Sequence, residues 1–501
     1  MRQLTIALLF DLALVGLAGA QQPVRSCESL TAVSLPNTTI ESAATEAASA
    51  NRPAFCRVTA VTTHHPAGDQ IKIFIGLPLT EWNGRFQGVG GGGFMGGNAN
   101  GVVAPVAQGY AAGSTDTGHE GGSGSFALDS TGHLNWLLIR DNAYLGIHEM
   151  TVTAQALIKA FYGAAARHSY FNGCSTGGRQ GLSEAQRYPA DYDGILSGAP
   201  AINWTRLHVE QMWGTVVMLA AKNPVAQCKL AAAQAAAVAA CDAADGVKDG
   251  VIENPRACTY DPRQLVGTSA GDCGDFTKAD ADVIRKIWQG PRRQDGSFLW
   301  YGLQRGGDFN GLSSTGGTPL VPRPNPITLE WWRYFLNQNP QWDYTTLTPA
   351  SYEHYWDQSV EEFSAVLATD NPDLTGFRDR GGKIVLWHGW SDQLIYPEGT
   401  IDYYQRVQKQ MGGADNTSKF ARLFLAPGVG HCGGGPGPAP DGQFEAVVRW
   451  VEEGKAPETL NAVRRGNGVM RTRPLCQFPM VAKYKGTGST DDAANFMCAA
   501  Q

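Results

Sequence analysis

The stretch SYFNGCSTGGR, residues 169–179, decides how this chain is read. Ser169 to Asn172 has the short apolar texture of a strand, and the residues after Gly177 open a helix. Between them, Gly173, Ser175 and Gly177 form a G-x-S-x-G pattern. A serine on so tight a strand-to-helix turn projects its hydroxyl above the sheet, and the small flanking residues let the strained backbone exist. The pattern alone is a weak signal in a chain with 61 glycines among 501 residues. Its strand–turn–helix setting makes Ser175 a candidate nucleophile. The N–H of Thr176, at the start of the helix, can then stabilise negative charge on a bound carbonyl oxygen.

Working outward, strands alternate with helices. Ile71 to Ile75, Arg85 to Val89 and Gly194 to Leu196 read as strands, and Asp141 to Tyr162 carries helical apolar spacing. The pattern resumes after Gly381, with strands at Lys383–Trp387 and Ala421–Leu425 and helices at Glu398–Met411 and Gln443–Glu453. Such alternation predicts an α/β fold with a parallel sheet covered on both faces. Between the halves the texture changes to an alanine-rich helix (Lys229 to Ala240) and irregular Gly/Pro-rich sequence. The predicted organisation is a catalytic core, 21–202 and 381–501, interrupted by an inserted domain, 203–380. A window from Trp331 to Phe363 holds ten aromatics, among them Trp332, Trp342, Tyr355 and Trp356. It suits either the core of the insertion or the wall of a pocket for a flat ring.

A serine nucleophile needs a base, and the base needs an orienting carboxylate. Asp392 and His431 lie just beyond the C-terminal ends of the two strands after Gly381, where parallel-sheet enzymes assemble their sites. The order Ser…Asp…His is that of α/β-hydrolases. His431 is the only histidine after Asp392. His388, ahead of the Asp, reads as a structural hydrogen-bonding residue. The glycine run 88–97 formally contains G-x-G-x-x-G, but the residues after it are too glycine-rich to open a helix that would hold a pyrophosphate. The reading therefore includes no organic cofactor. In an esterase, such a loop beside the serine can supply a backbone oxyanion donor.

The net charge of −6 is wrong in sign for a nucleic-acid partner. Residues 1–20 combine Arg2, an apolar run and Ala18-Gly19-Ala20, the layout of a cleavable signal peptide. No later stretch is long and apolar enough to span a membrane. A secreted or periplasmic enzyme is expected, and ten cysteines in an exported chain favour disulfides. Cys174 and Cys432 adjoin the two reactive residues, so a bridge between them would tie nucleophile turn to base loop. Neighbouring pairs such as Cys241/Cys258 and Cys476/Cys498 are plausible, and the partners of Cys27, Cys56, Cys228 and Cys273 stay open. Asp242, Asp245 and Asp249, at offsets 0, 3 and 7, either converge on a hard cation or form an ordinary Asp/Gly turn series.

Cys174-Ser175, Asp392 and His431-Cys432 resemble the CS–D–HC arrangement of the tannase/feruloyl esterase family, as do the runs GCSTGGR and GGKIVLWHGWSDQLIYP (381–397). The resemblance implies an α/β-hydrolase core with a large inserted lid domain. It also implies a role for Gly92 or Gly93 in the oxyanion hole. A structural Ca2+ on the lid would take Asp242, Asp245 and Asp249 side chains and the Val247 and Val251 carbonyls. The implied activity is a serine carboxylic ester hydrolase acting on small phenolic or plant cell-wall esters, with feruloyl esterase leading. Tannase and MHETase-like monoesterase are the alternatives, and an inactive hydrolase-fold binding protein is the rival of another class. Oligomeric state is not legible.

Overall fold

The computed structural model describes residues 21–466 and 469–500, so the expected signal peptide lies outside the described residues. Before the insertion the chain forms β1 (Thr38–Glu46), β2 (Phe55–Thr62), β3 (Ile71–Pro78), β4 (Arg85–Val89), β5 (Ala111–Thr115), β6 (His168–Cys174) and β7 (Gly194–Gly198). A short hairpin, β8 (Ser314–Gly316) and β9 (Val321–Arg323), follows within the insertion, and β10 (Lys383–Gly389) and β11 (Ala421–Ala426) come after it. Nine of these strands make one sheet in the order β1-β2-β3-β5-β4-β6-β7-β10-β11.

From β5 onward the neighbours run parallel. The expectation of a parallel sheet fails at the other edge, where β1, β2, β3 and β5 pair antiparallel. The connections from β1 to β2 and from β2 to β3 carry no helix, and a parallel pairing needs a long crossover. The sheet is therefore mixed.

Alternation along the strands sends side chains to two cores. In β10, Ile384 and Leu386 join the helix Gly146–Tyr162 side with Leu157 and Phe161, whereas Val385 and Trp387 face Val447 and Trp450 of the helix Gln443–Glu453. The long helix does not begin cleanly at Asp141. A helical turn at Trp136–Arg140 passes through a π-helical turn at Asp141–Leu145 into Gly146–Tyr162.

β7 and β10 are direct neighbours although residues 199–382 intervene. That intervening segment adds no strand to the sheet. It carries its own apolar clusters, one around Trp331, Trp332, Tyr352 and Phe363, the other around Leu230, Ile284 and Phe309. Phe94 and Phe126 from the sheet-bearing part join the first cluster and seat the insertion on the sheet's loop end. Trp331 and Trp332 are fully buried, which resolves the aromatic window as core. After β11 the chain adds a three-stranded and a two-stranded antiparallel sheet.

All ten cysteines are paired: Cys27–Cys56, Cys174–Cys432, Cys228–Cys273, Cys241–Cys258 and Cys476–Cys498. Among the described residues no helix is long and apolar enough to cross a membrane.

Candidate active site

β6 ends at Cys174, the helix Thr176–Arg187 begins two residues later, and Ser175 alone makes the turn with φ 63° and ψ −123°. That conformation costs a non-glycine residue about 1–3 kcal/mol and persists only where its surroundings enforce it. The surroundings are glycine backbones: a Cβ on Gly173 would lie 2.4 Å from the carbonyl carbon of Gly177. Ser175 N–H donates to the Gly198 carbonyl at 2.9 Å, fixing the turn to the end of β7.

Asp392 follows β10 and His431 follows β11, and His431 Nδ1 lies 2.9 Å from Asp392 Oδ2. The same oxygen meets Nε2 of His388 at 3.0 Å. That nitrogen also faces the Ile395 carbonyl at 2.8 Å, so between two acceptors it carries the proton, and Nδ1 takes a hydrogen bond from the Thr400 hydroxyl at 2.9 Å. Asp392 Oδ1 accepts the Leu394 and Ile395 N–H groups at 2.8 and 2.9 Å. Burial raises the Asp392 carboxyl pKa, but the hydrogen bonds from His388 and His431 outweigh it and hold the group well below the usual range. Gln393 Oε1 accepts the His431 N–H at 3.1 Å, and the Cys174–Cys432 bridge ties the His431 loop to the serine turn.

Ser175 and His431 line one cavity of about 380 Å³. Among the described residues no hydrogen bond joins the Ser175 hydroxyl to His431, whose partners are Gln393 and Asp392. Gly92 and Gly93 lie on the cavity wall beside Thr176, whose hydroxyl donates to the Gly93 carbonyl at 2.6 Å. The Gly91 N–H is taken by Gln180 Oε1 at 2.9 Å and the Gly92 N–H by the Met95 carbonyl at 3.1 Å. The Gly93 and Thr176 N–H groups have no such partner among the described residues.

The remaining wall is mainly apolar, with Trp204, Leu207, Ile327, Leu394 and Ile395. His208 and Gln211 also line it, joined by a 3.0 Å hydrogen bond between Nδ1 and Oε1. Burial drops the His208 pKa to about 3, so its imidazole is neutral. Trp204, His208 and Gln211 come from the first turns of the insertion, and no motif marks them in the sequence.

The acidic loop lies away from this cavity. Asp242 accepts N–H groups of Asp249 and Gly250 at 3.0 and 3.1 Å, Asp245 accepts Val247 N–H at 2.9 Å, and Asp249 pairs with Arg473 at 2.8 Å. Among the described residues, the oxygens of the three carboxylates do not all come within 4.8 Å of one another. Burial and the neighbouring Asp249 raise the pKa of Asp245, and burial lifts Glu253, on the same small cavity, to about 8. The Val247 and Val251 carbonyls take no hydrogen bond among the described residues, and Cys241–Cys258 closes the loop.

Residues 56–499 match the family model for "Tannase and feruloyl esterase". The "Probable feruloyl esterase" of Arthroderma benhamiae is 38% identical over 97% of this chain and 91% of its own. The mono(2-hydroxyethyl) terephthalate hydrolase of Piscinibacter sakaiensis is 31% identical over 92% and 87%. The crystal structure of feruloyl esterase B from Aspergillus oryzae superposes with a TM-score of 0.83 at 27% identity, covering 94% of this chain and 99% of that one. With this likeness over nearly its whole length, the chain belongs to the tannase and feruloyl esterase family, as a carboxylic ester hydrolase of the α/β-hydrolase fold.

Proposed function

We propose that the protein is an exported feruloyl esterase, cleaving hydroxycinnamate esters by a serine mechanism. Ser175 attacks the ester carbonyl, His431 takes its proton and returns it to the leaving alcohol, and Asp392 orients the imidazole. Water then releases the acyl group by the same route. The observation that carries this reading is the convergence of Ser175, His431 and the Asp392–His431 hydrogen bond at one mainly apolar cavity. The developing oxyanion is held by the N–H groups of Thr176 and Gly93. Gly92 is the weaker choice because its N–H already serves Met95. The apolar wall with Trp204 suits a flat aromatic acyl group. Residues 203–380 act as the lid domain that bounds the cavity, upon a core of 21–202 and 381–501. Five disulfides support an oxidising compartment after removal of residues 1–20.

The acidic loop of the lid binds a structural Ca2+ through Asp242, Asp245 and Asp249 and the Val247 and Val251 carbonyls. The donors are all hard oxygens, the ligand chemistry of Ca2+, and the Val247 and Val251 carbonyls take no hydrogen bond among the described residues. Arg473, at present on Asp249, has to share that carboxylate. The substrate reading is tested by comparing kcat/KM for methyl ferulate, methyl gallate, mono(2-hydroxyethyl) terephthalate and a short aliphatic ester. Methyl ferulate is expected to be turned over best; a clear preference for gallate or terephthalate reassigns the acyl group.

A further inference from the structure

A second polar cluster lies away from the catalytic cavity, on the helix that Ser175 opens. Glu184 of that helix is 1% exposed, and neither of its carboxylate oxygens has a hydrogen-bond partner. An ionised carboxylate in that position, without counter-charge, is strongly disfavoured. It is aimed at two other ligating groups: His148, from the helix Gly146–Tyr162, and Asp191, from the loop before β7. One ligand atom from each of the three lies within 4.8 Å of the others. His148 Nδ1 is 2.7 Å from Asp191 Oδ2, and its ring stacks on Tyr188 with centroids 3.8 Å apart and 7° between planes, which fixes its aim. The side chains of His148 and Asp191 are 25% and 11% exposed, so the cluster opens to solvent while Glu184 forms its floor.

We propose that His148, Glu184 and Asp191 form a site for a zinc-type divalent cation, one imidazole nitrogen and two carboxylates holding the ion with water in the fourth position. One nitrogen and two oxygen donors are the ligand chemistry of Zn2+, and three protein ligands leave a tetrahedral position open. None of the three lines the catalytic cavity. The ion's effect is to fasten the helix behind the nucleophile to the helix Gly146–Tyr162 and to the start of β7. It supplies the counter-charge that the buried, unpartnered Glu184 carboxylate lacks.

The test is metal analysis of the full chain after incubation with Zn2+ and exhaustive dialysis, paired with Co2+ titration of the metal-free protein. About one Zn2+ per chain is expected, with the visible absorption of tetrahedral Co2+ on titration. Glu184→Gln, close in shape and neutral, should lose the bound Zn2+ and the Co2+ spectrum yet keep ester turnover. His148→Phe keeps the stack on Tyr188 and should also lose both signals. Asp245→Asn, in the lid loop, should retain them. If folded, active wild-type protein binds neither ion, Glu184 is instead protonated and shares its proton with Asp191, and the proposal is overturned. Undiminished Zn2+ in Glu184→Gln overturns it equally. Should both variants fail to fold, the wild-type Co2+ titration still decides.

Discussion

Asp392 holds two imidazoles with a single oxygen while its other oxygen is saturated by backbone N–H groups. His388, wedged between Thr400 and Ile395, thereby fixes the carboxylate that fixes His431. Asp392→Asn should lower kcat by about 10⁴-fold at neutral pH, because an amide favours the wrong imidazole tautomer. The same substitution has a pH signature. The Asp392 pKa is lowered on folding, so its ionised form adds stability that is fully present above the unfolded value, near 3.8, and lost as pH falls through the lower folded one. Urea unfolding of Asp392→Asn should therefore show a shallower loss of stability in acid than the wild type. At this scale the meeting of Asp392 with His431, and of His431 with Ser175 at one cavity, was legible, because chain order and strand ends restrict the choice. Gln393, Thr400 and His208 were not, since only tertiary packing gives them their partners.

The elements that matter most are the serine turn and the His431 loop, which the Cys174–Cys432 bridge joins across 258 residues. On the chain-entropy model a bridge of that span contributes at most about 5 kcal/mol. Its larger effect is positional, since a displacement near 1 Å can cost on the order of 10²-fold in rate. The double substitution Cys174→Ser with Cys432→Ser should lower Tm and reduce kcat by roughly 10–100-fold, measured on folded protein. An unchanged kcat would make the bridge purely a matter of stability. Period and turn chemistry placed β4 and the helix Gln443–Glu453 at their observed limits. The antiparallel edge escaped because strand pairing direction is set by connections, which local texture does not encode. The π-helical turn escaped because its residues keep an ordinary helical pattern.

At the scale of the whole molecule, the cavity with Ser175 and His431 is walled in part by the segment between β7 and β10, Trp204 and Ile327 among its residues, whereas the acidic loop lies away from it. Removal of the proposed lid Ca2+ by chelation, verified by metal analysis, should lower Tm while leaving kcat at 25 °C nearly unchanged. At Ca2+ a hundredfold above Kd, the lost stabilisation is about 2.7 kcal/mol. Identical melting with and without the ion contradicts a stabilising lid site. The segment between β7 and β10 was legible as an interruption of the sheet from the resumed strand–helix pattern after Gly381. Its interior was not, because aromatic residues crowd cores and pocket walls alike, and only packing put Trp331 and Trp332 in the core and Trp204 on the cavity.

The central claim is that Ser175 is the nucleophile of an ester hydrolase. It is tested most directly by reacting the folded protein with a fluorophosphonate probe and locating the adduct by peptide mass spectrometry. One adduct on Ser175 is expected, formed as ester turnover is lost and absent from Ser175→Ala. Active protein that stays unmodified at Ser175, or a Ser175→Ala variant with full turnover, would contradict it.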